Sequence, residues 1–357
     1  MKLFEQVSLG KLKLKNRVVM APMTRSRAIH NVPGDIMVDY YSQRASAGLI
    51  ITEGASPSPN GLGYARIPGL FNTEQLKGWK KVTDGVHAKG GKIFLQIMHT
   101  GRVSHGLNMQ ANAKILAPSA LALSGKMWTD AEGEQPYPTP TAMSESDIQE
   151  AIHEYVHCAD LAIQAGFDGV ELHCANGYLM EQFLNPSCNK RTDSYGGQPK
   201  GFMAFPLQVA REVSKKIGSD RTGIRISPYG VFNDTGAFPG IDEFYVQFTK
   251  ELSALGLVYL HVVDHSCMGA PAVSATLKRD MREIFKGSYI LSGGYDAEKA
   301  EVDLIENKGD LVAFGRPFIA NPDLVELMMA KKPLKEADQS KLYTPGPEGY
   351  SDYPSHS

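Results

Sequence analysis

The sequence lacks the features that would point to a membrane, a nucleic acid or a secreted protein. No apolar run approaches the roughly 18 residues that a membrane span requires. Because 37 basic residues are nearly balanced by 39 acidic ones, the net charge of −2 gives no electrostatic reason to expect a nucleic acid or an anionic membrane as partner. The stretch 1–6 lacks the apolar core of a signal peptide, so we expect a cytoplasmic protein, either a monomer or a small homo-oligomer.

Cysteine is also scarce, and its spacing argues against several kinds of site. The four cysteines, Cys158, Cys174, Cys188 and Cys267, form no Cys-x-x-Cys pair. A zinc ribbon, an iron–sulfur cluster and a disulfide framework are therefore not expected.

One motif, in contrast, is typical of a zinc site. His153-Glu154-Tyr155-Val156-His157 fits the His-Glu-x-x-His pattern, which places two zinc ligands on one helical face. The motif falls in a predicted helix on the outside of the fold, and no third ligand is evident. A zinc hydrolase is thus kept only as an alternative, and we predict no metal.

Short apolar runs alternate with longer amphipathic stretches, which is the pattern of repeated βα units. Eight such units predict an α/β fold, a (β/α)₈ barrel, with 1–357 as a single domain. The predicted strands are Val18–Met23, Leu49–Glu53, Lys92–His99, Gly169–His173, Gly223–Ser227, Leu257–Val263, Ile290–Gly294 and Leu311–Gly315. The predicted helices are Met37–Ala47, Thr73–Lys89, Ser146–Ala165, Lys200–Ile217, Ile241–Leu255, Leu277–Phe285, Ala297–Glu306 and Pro317–Ala330.

Local signals add detail to this outline. Ser146 with Gln149 offers a capping box, and Asp296 and Pro317 are placed to open two of the later helices. The opening stretch 7–14 predicts a small hairpin that closes the bottom of the barrel.

Two segments depart from the βα repeat. The stretch 99–141, rich in Gly, Pro, Asn and Ser, separates the third strand from its helix. Loops on that side of a barrel carry function, so we predict an active-site lid. The tail 343–357 is predicted to be extended and to bring aromatic residues with it.

Polar residues stand near the carboxyl ends of several strands that should be purely apolar. They are Thr24, Gln96, His173, Arg225 and Arg316. Active sites of barrels are assembled at this face from several strand ends, so the set predicts an enzyme.

Glycines at two strand ends predict a phosphate site. Gly293 and Gly294 end the seventh strand, while Gly315 and Arg316 end the eighth just before a helix. Exposed backbone N–H groups, a helix amino terminus and a guanidinium can together hold a phosphate dianion.

The fourth strand delivers the densest group of candidate catalytic residues. His173, Asn176 and Tyr178 follow one another within six positions at the strand end. Neutral hydrogen-bonding groups and a phenol are poor core material, because each buried polar group needs a partner. They suit a site that grips a carbonyl oxygen and supplies a proton.

Taken in order along nearly the whole chain, these motifs resemble the old yellow enzyme family of FMN-dependent ene-reductases, and the chain is similar to bacterial N-ethylmaleimide reductases. The motifs are Ala21-Pro22-Met23-Thr24-Arg25, Gln96, His99-Thr100-Gly101-Arg102, His173-Cys174-Ala175-Asn176-Gly177-Tyr178, Arg191-Thr192-Asp193-Ser194-Tyr195-Gly196-Gly197, Ser292-Gly293-Gly294 and Phe314-Gly315-Arg316. The resemblance implies non-covalently bound FMN, NADPH or NADH as electron donor, and ping-pong reduction of α,β-unsaturated carbonyl compounds, with nitro compounds or nitrate esters as further substrates.

The resemblance also implies a role for each cofactor-binding residue. Backbone near Pro22 and Gly54, with the side chains of Thr24 and Gln96, would hold the isoalloxazine ring, and Arg225 would lie beside its N1–C2 edge. The phosphate would be bound by Gly293, Gly294, Gly315 and Arg316.

For the substrate, the resemblance implies that His173 and Asn176 bind the carbonyl oxygen and that Tyr178 protonates the α-carbon. Tyr64, Met98 and Tyr343 would line the pocket. Met98 stands where relatives often carry Trp, Cys267 where some carry a large aromatic residue, and Asn176 where some carry His. These departures bear on selectivity rather than on the reaction.

Two other flavin functions remain open. A 2-hydroxy-acid oxidase on a similar FMN barrel would need a base and cationic groups for a carboxylate, and Asn176 is no base. A non-catalytic flavin-binding protein would bind phenols without turnover.

Overall fold

The computed structural model describes residues 1–355, and eight parallel strands form a closed barrel in it. Each strand pairs with the next, and the eighth pairs with the first through Val312 and Val18. The strands are Val18–Met20, Leu49–Ala55, Ile93–Ile97, Gly169–Cys174, Thr222–Ile226, Tyr259–Val263, Ser288–Ser292 and Leu311–Phe314. The predicted (β/α)₈ barrel is confirmed, with strand limits that differ from the prediction by a few residues.

Helices surround the barrel. They are Asp35–Gln43, Thr73–Ala88, Glu145–Gln164, Leu179–Leu184, Pro199–Ile217, Ile241–Ala254, Ala275–Ile284, Ala297–Ile305, Arg316–Ala320 and Leu324–Met329. The short helix Leu179–Leu184, directly after the fourth strand, was not predicted. No helix within 1–355 is both long and apolar enough for a membrane crossing.

The single predicted helix Pro317–Ala330 is wrong, since two short helices occupy this stretch. Between them the side-chain amide of Asn321 donates to the carbonyl oxygens of Pro317 at 2.7 Å and Lys335 at 2.9 Å. Pro322 follows and has no N–H to continue a helical ladder. The break is therefore held by contacts with a later segment.

The predicted capping box is also displaced. Ser144, not Ser146, caps the helix Glu145–Gln164: its hydroxyl accepts from the Asp147 N–H at 3.2 Å, and Asp147 accepts from the Ser144 N–H at 2.8 Å. Gln149 instead donates to the Tyr195 hydroxyl at 2.9 Å. The predicted cap at Asp296 is confirmed, since its carboxylate accepts from the Lys299 N–H at 2.8 Å.

The N-terminal hairpin closes one end of the barrel, as predicted. Val7–Leu9 pairs with Leu12–Leu14 in antiparallel register. Leu9 and Leu14 pack against residues near the strand beginnings, including Leu49 and Tyr259. Because this end is filled by apolar side chains, the opposite end is the one that opens to ligands.

The segment 99–141 lies over that open end. It contains the antiparallel pair Lys126–Thr129 and Gly133–Pro136, and it returns to the barrel through a parallel pairing of Leu116–Ala117 with Thr141–Ala142. The last two residues of the predicted tail 343–357 lie outside the described part of the chain.

The tail is held by two buried arginines close to the first strand. Arg25 donates to the carbonyl oxygens of Leu342 and Gly349 at 3.1 and 2.6 Å. Arg27 donates to the same Leu342 oxygen at 2.6 Å and to the backbone carbonyl oxygen of Glu348 at 2.9 Å. These bonds fix the segment that carries Tyr343.

We expect Ser144→Ala to lower the free energy of unfolding by about 1 kcal/mol, because it removes one half of the capping box. Ser146→Ala is the matched control and should cost less than half as much, since Ser146 does not cap the helix. Urea unfolding followed by circular dichroism measures both variants. Equal losses would contradict the assignment of the cap.

Candidate active site

Two adjoining cavities of about 1060 and about 740 Å³ open at the carboxyl ends of the strands. The larger one runs beneath the segment 99–141, and the smaller one reaches the ends of the seventh and eighth strands. They share the wall residues Pro22, Thr24, Asn176, Tyr178, Arg225 and Tyr343. The barrel thus brings nearly all of the predicted site residues to one continuous space.

The backbone of Asn176 is held by hydrogen bonds, while the side chains of His173 and Asn176 keep part of their hydrogen-bonding capacity free. Asn176 adopts a left-handed backbone conformation with φ of 59°, its N–H donates to Ser227 Oγ at 2.9 Å, and its carbonyl accepts from Asn233 Nδ2 at 2.7 Å. The side-chain atoms His173 Nδ1 and Asn176 Oδ1 are buried and have no partner among residues 1–355. Unpartnered buried polar atoms at the wall of a cavity indicate a ligand site.

The electrostatic surroundings keep His173 neutral. Burial lowers the pKa of its imidazole well below the usual value, and the positive charge of Arg225 acts in the same direction. A neutral imidazole has one N–H and one acceptor nitrogen. His173 is therefore a hydrogen-bond donor without being an acid at neutral pH.

Tyr178 lies against His173 and is linked to a second phenol. The rings of His173 and Tyr178 meet edge to face with centroids 4.9 Å apart, and the hydroxyls of Tyr178 and Tyr64 are 3.0 Å apart. Burial raises the pKa of Tyr178 to about 12, and burial likewise raises the pKa of Tyr64. Both phenols are therefore protonated at neutral pH, and they form a short path along which a proton can move.

Arg225 supplies a donor expected of a flavin site, and Gln96 lines the same cavity. Arg225 lies in the fifth strand directly opposite His173, is 7 % exposed, and its buried Nε atom has no partner within 1–355. Burial lowers the pKa of the guanidinium, and the Glu171 carboxylate opposes that effect. A buried cation with an unused donor fits the electron-rich pyrimidine edge of FMN, and Thr24 and Gln96 line the same cavity.

The strand ends around Gly293 and Gly315 fit the phosphate. Gly293 and Gly294 have positive φ values of 125° and 65°, which favour glycine. A Cβ on Gly293 would collide with the Asp264 carbonyl, so the two backbones run close together. Arg316 is exposed at the edge of this cavity, where its guanidinium can reach a bound anion.

Tyr64, Met98 and Tyr343 all line the larger cavity, and their role in the substrate pocket stays a prediction. Gly54 does not line it: a Cβ there would lie 2.6 Å from the Met98 sulfur, so Gly54 packs closely against Met98. Its contact with the cofactor stays a prediction.

Some wall residues were missed by the sequence reasoning. Phe232 and His265 meet edge to face at 4.7 Å beside Arg225, and Lys126 and Trp128 come from the segment 99–141. His265 follows the sixth strand by two residues, so the strand-end rule could have found it. Nothing in the sequence places Phe232 or Trp128 near the site.

The zinc alternative has no support in the fold. His153 and His157 are exposed on the outer helix Glu145–Gln164, remote from the strand ends. Within 1–355 no group of three or more His, Cys, Asp or Glu side chains is placed to hold a metal ion. All four cysteines are free thiols, of which Cys267 alone is exposed.

Comparison with known proteins agrees with this geometry. The profile of the NADH:flavin oxidoreductase / NADH oxidase family matches residues 2–335. A chanoclavine-I aldehyde reductase of Penicillium roqueforti is 43 % identical, covering 99 % of this chain and 96 % of its own. A probable flavin mononucleotide-dependent alkene reductase of Leishmania infantum is 40 % identical, covering 97 % and 95 %.

Solved structures show the same likeness. Morphinone reductase superposes with a TM-score of 0.95 at 42 % identity, covering 99 % of this chain and 96 % of the other. The old yellow enzyme homologue from Zymomonas mobilis superposes with a TM-score of 0.95 at 36 % identity, covering 99 % of both chains.

The fold and the site define a flavin-dependent oxidoreductase, and the chain belongs to the NADH:flavin oxidoreductase / NADH oxidase family. Within that family it is of the old yellow enzyme type: it uses FMN and NAD(P)H and functions as an ene-reductase.

We expect Gly293→Ala to weaken FMN binding at least tenfold, because the new methyl group would force the Asp264 and Gly293 backbones apart at a positive φ. Gly34→Ala is the matched control: its φ is −101°, no atom lies within 4 Å of the added Cβ, and it lines neither cavity, so the affinity should change little. Fluorescence titration of each apoprotein with FMN measures the dissociation constant. Equal affinities would argue against a phosphate site at Gly293.

Proposed function

We propose that the chain reduces the C=C bond of small α,β-unsaturated carbonyl compounds, with residues 1–357 acting as one FMN-binding unit and 99–141 as its lid. The observation that carries this proposal is the convergence of His173, Asn176 and Tyr178 on one cavity, beside the buried cation Arg225. When bound there, FMN supplies the hydride, which it takes from NADPH or NADH. Side chains of the protein would bind the carbonyl oxygen and supply the proton.

His173 and Asn176 would bind the carbonyl oxygen of the substrate. A neutral imidazole N–H and an amide N–H both donate, and their hydrogen bonds strengthen as negative charge develops on that oxygen. The bonds of the Asn176 main chain to Ser227 and Asn233 fix the backbone from which the side-chain amide projects.

Tyr178 would protonate the α-carbon of the substrate. Its hydroxyl is protonated, lies at the cavity wall beside His173, and can be resupplied through the hydrogen bond to Tyr64. General acid catalysis of this kind is typically worth about 10²–10⁴-fold in rate.

The relatives support a reductase rather than a hydroxy-acid oxidase. Their names include 12-oxophytodienoate reductases of Oryza sativa and Arabidopsis thaliana as well as the alkene reductase of Leishmania infantum. The polar groups that converge here are those that bind a carbonyl oxygen. Nitro compounds and nitrate esters present similar oxygen acceptors and are proposed as further substrates of the same cavity.

We expect Tyr178→Phe to slow reduction of 2-cyclohexenone by about 10²–10⁴-fold, because the proton donor is lost, while flavin reduction by NADPH stays nearly intact. Tyr64→Phe is the matched control: it removes the neighbouring phenol but leaves the donor, so the loss should be much smaller. Stopped-flow absorbance follows the two half-reactions separately. Equal loss of both half-reactions in Tyr178→Phe would count against Tyr178 as the acid.

We also expect the rate of the alkene half-reaction to be flat between about pH 6 and about pH 9. His173 has a lowered pKa and is neutral throughout this range, whereas Tyr178, with its pKa raised to about 12, stays protonated. Mixing the pre-reduced enzyme with 2-cyclohexenone at a series of pH values tests this. An inflection inside the range would contradict the expected flat profile.

A further inference from the structure

A buried carboxylate lies inside the barrel beneath the predicted flavin contacts. Glu171 stands in the fourth strand, two residues before His173, and is fully buried. Its Oε1 atom accepts from Gln96 Nε2 at 2.8 Å, and its Oε2 atom lies 3.1 Å from the Tyr259 hydroxyl and 2.8 Å from His261 Nδ1. No role was predicted for this residue, and the substrate chemistry does not use it.

The carboxylate dictates how the Gln96 amide is turned. An ionised carboxylate only accepts hydrogen bonds, so Gln96 must present its NH₂ group to Glu171. The amide oxygen of Gln96 then points elsewhere, and Gln96 itself lines the cavity. An oxygen turned to the cavity is an acceptor, which matches the N3–H donor of an isoalloxazine ring.

The same carboxylate acts on the charge of Arg225. Strand register places Arg225 opposite His173 and Glu171 opposite Gly223, so Glu171 lies two residues deeper in the barrel, about 6.6 Å along the strand. The charge of the Glu171 carboxylate acts on this guanidinium, and Arg225 forms no ion pair with an acidic side chain within 1–355. The negative charge of Glu171, which lies deeper in the barrel, therefore cancels part of the positive potential that Arg225 produces at the cavity.

We propose that Glu171 is a positioning residue that sets the preference of the site for reduced over oxidised FMN. It does so in two ways: it fixes the orientation of the Gln96 amide, and it offsets part of the positive field of Arg225. Reduced flavin carries negative charge near Arg225, so a weaker net positive field lowers the reduction potential. Glu171 therefore holds the potential below the value that Arg225 alone would impose.

The test is the midpoint potential of the holoenzyme in Glu171→Gln, measured by reductive titration against a reference dye. This substitution keeps the shape of the side chain and removes its charge. We expect about a tenfold stronger preference for reduced FMN, which for a two-electron couple is a rise of about 30 mV. A potential equal to that of the parent enzyme would overturn the charge effect.

Two matched variants separate charge from structure. Tyr259→Phe removes one donor from the same carboxylate but keeps its charge, so the potential should not rise. Glu171→Asp also keeps the charge, so its potential should rise much less than that of Glu171→Gln, even where FMN binds more weakly. A rise of similar size in all three variants would assign the effect to disturbed packing and overturn the proposal.

A second measurement needs no substitution and covers the case in which Glu171→Gln does not fold. Apoprotein of the parent chain is titrated with FMN and with 3-methyl-FMN, which lacks the N3–H donor. We expect at least tenfold weaker binding of the methylated cofactor, because the Gln96 oxygen loses its partner. Equal affinity would overturn the assigned orientation of Gln96.

This inference rests on FMN binding and not on the identity of the substrate. A holoenzyme that holds FMN but does not reduce 2-cyclohexenone would refute the proposed substrate class while leaving the potential of Glu171→Gln fully measurable. A holoenzyme that reduces 2-cyclohexenone with an unchanged potential in Glu171→Gln would refute the role of Glu171 alone.

Discussion

Closure of the parallel barrel is the constraint on which the site depends. Side chains alternate between the two faces of each strand, so residues at one height on neighbouring strands converge inside the barrel. Pairing places His173 opposite Arg225, and Glu171 opposite Gln96. Deeper in the barrel the N-terminal hairpin and apolar side chains fill the space. The polar side chains of these four residues are therefore open to ligands on one side only. Their unpaired hydrogen-bonding groups must find partners in one another or in a ligand.

A second constraint joins the two ends of the chain at the site. Buried guanidinium groups need several acceptors, and Arg25 and Arg27 find theirs in the backbone oxygens of Leu342 and of the tail. Tyr343 is 60 % exposed, yet its backbone is tied through its carbonyl to Arg66, which also forms an ion pair with Asp130 of the segment 99–141. The tail, the first strand end and the proposed lid thus share one set of polar contacts around the cavity mouth.

The barrel could be predicted from the sequence because its signals are local. Eight apolar runs between amphipathic stretches define the strands, whatever the exact limits. The break in the predicted helix Pro317–Ala330 also has a local signal, Asn321-Pro322, which the continuing apolar spacing masked. Only the contact of Asn321 with Lys335, fourteen residues later, lies beyond the local sequence. The helix Leu179–Leu184 was missed because Asn176 and Gly177 before it indicate a turn.

The site residues, too, could be predicted only where their position depends on local sequence and not on distant contacts. His173, Arg225 and Gln96 could be predicted because a polar residue at a strand end is visible in the sequence and closure of the barrel does the rest. Phe232 and Trp128 could not, since loops carry them to the cavity along paths that depend on tertiary contacts. The pairing of Glu171 with Gln96 was equally hidden: a glutamate within a strand has no meaning for function until its neighbour across the sheet is known.

The close packing of one part of the cavity wall affects which substrates the site can accept. Met98 fills the space that Gly54 leaves open, and a Cβ at Gly54 would meet three Met98 atoms within 2.8 Å. The two residues therefore act as one unit: a larger side chain at position 98 cannot retreat toward Gly54 and must extend into the cavity. Since Met98 lines the cavity that also holds His173 and Tyr178, the room available to a bound alkene depends on this pair. The catalytic groups can thus stay in place while the range of accepted substrates changes.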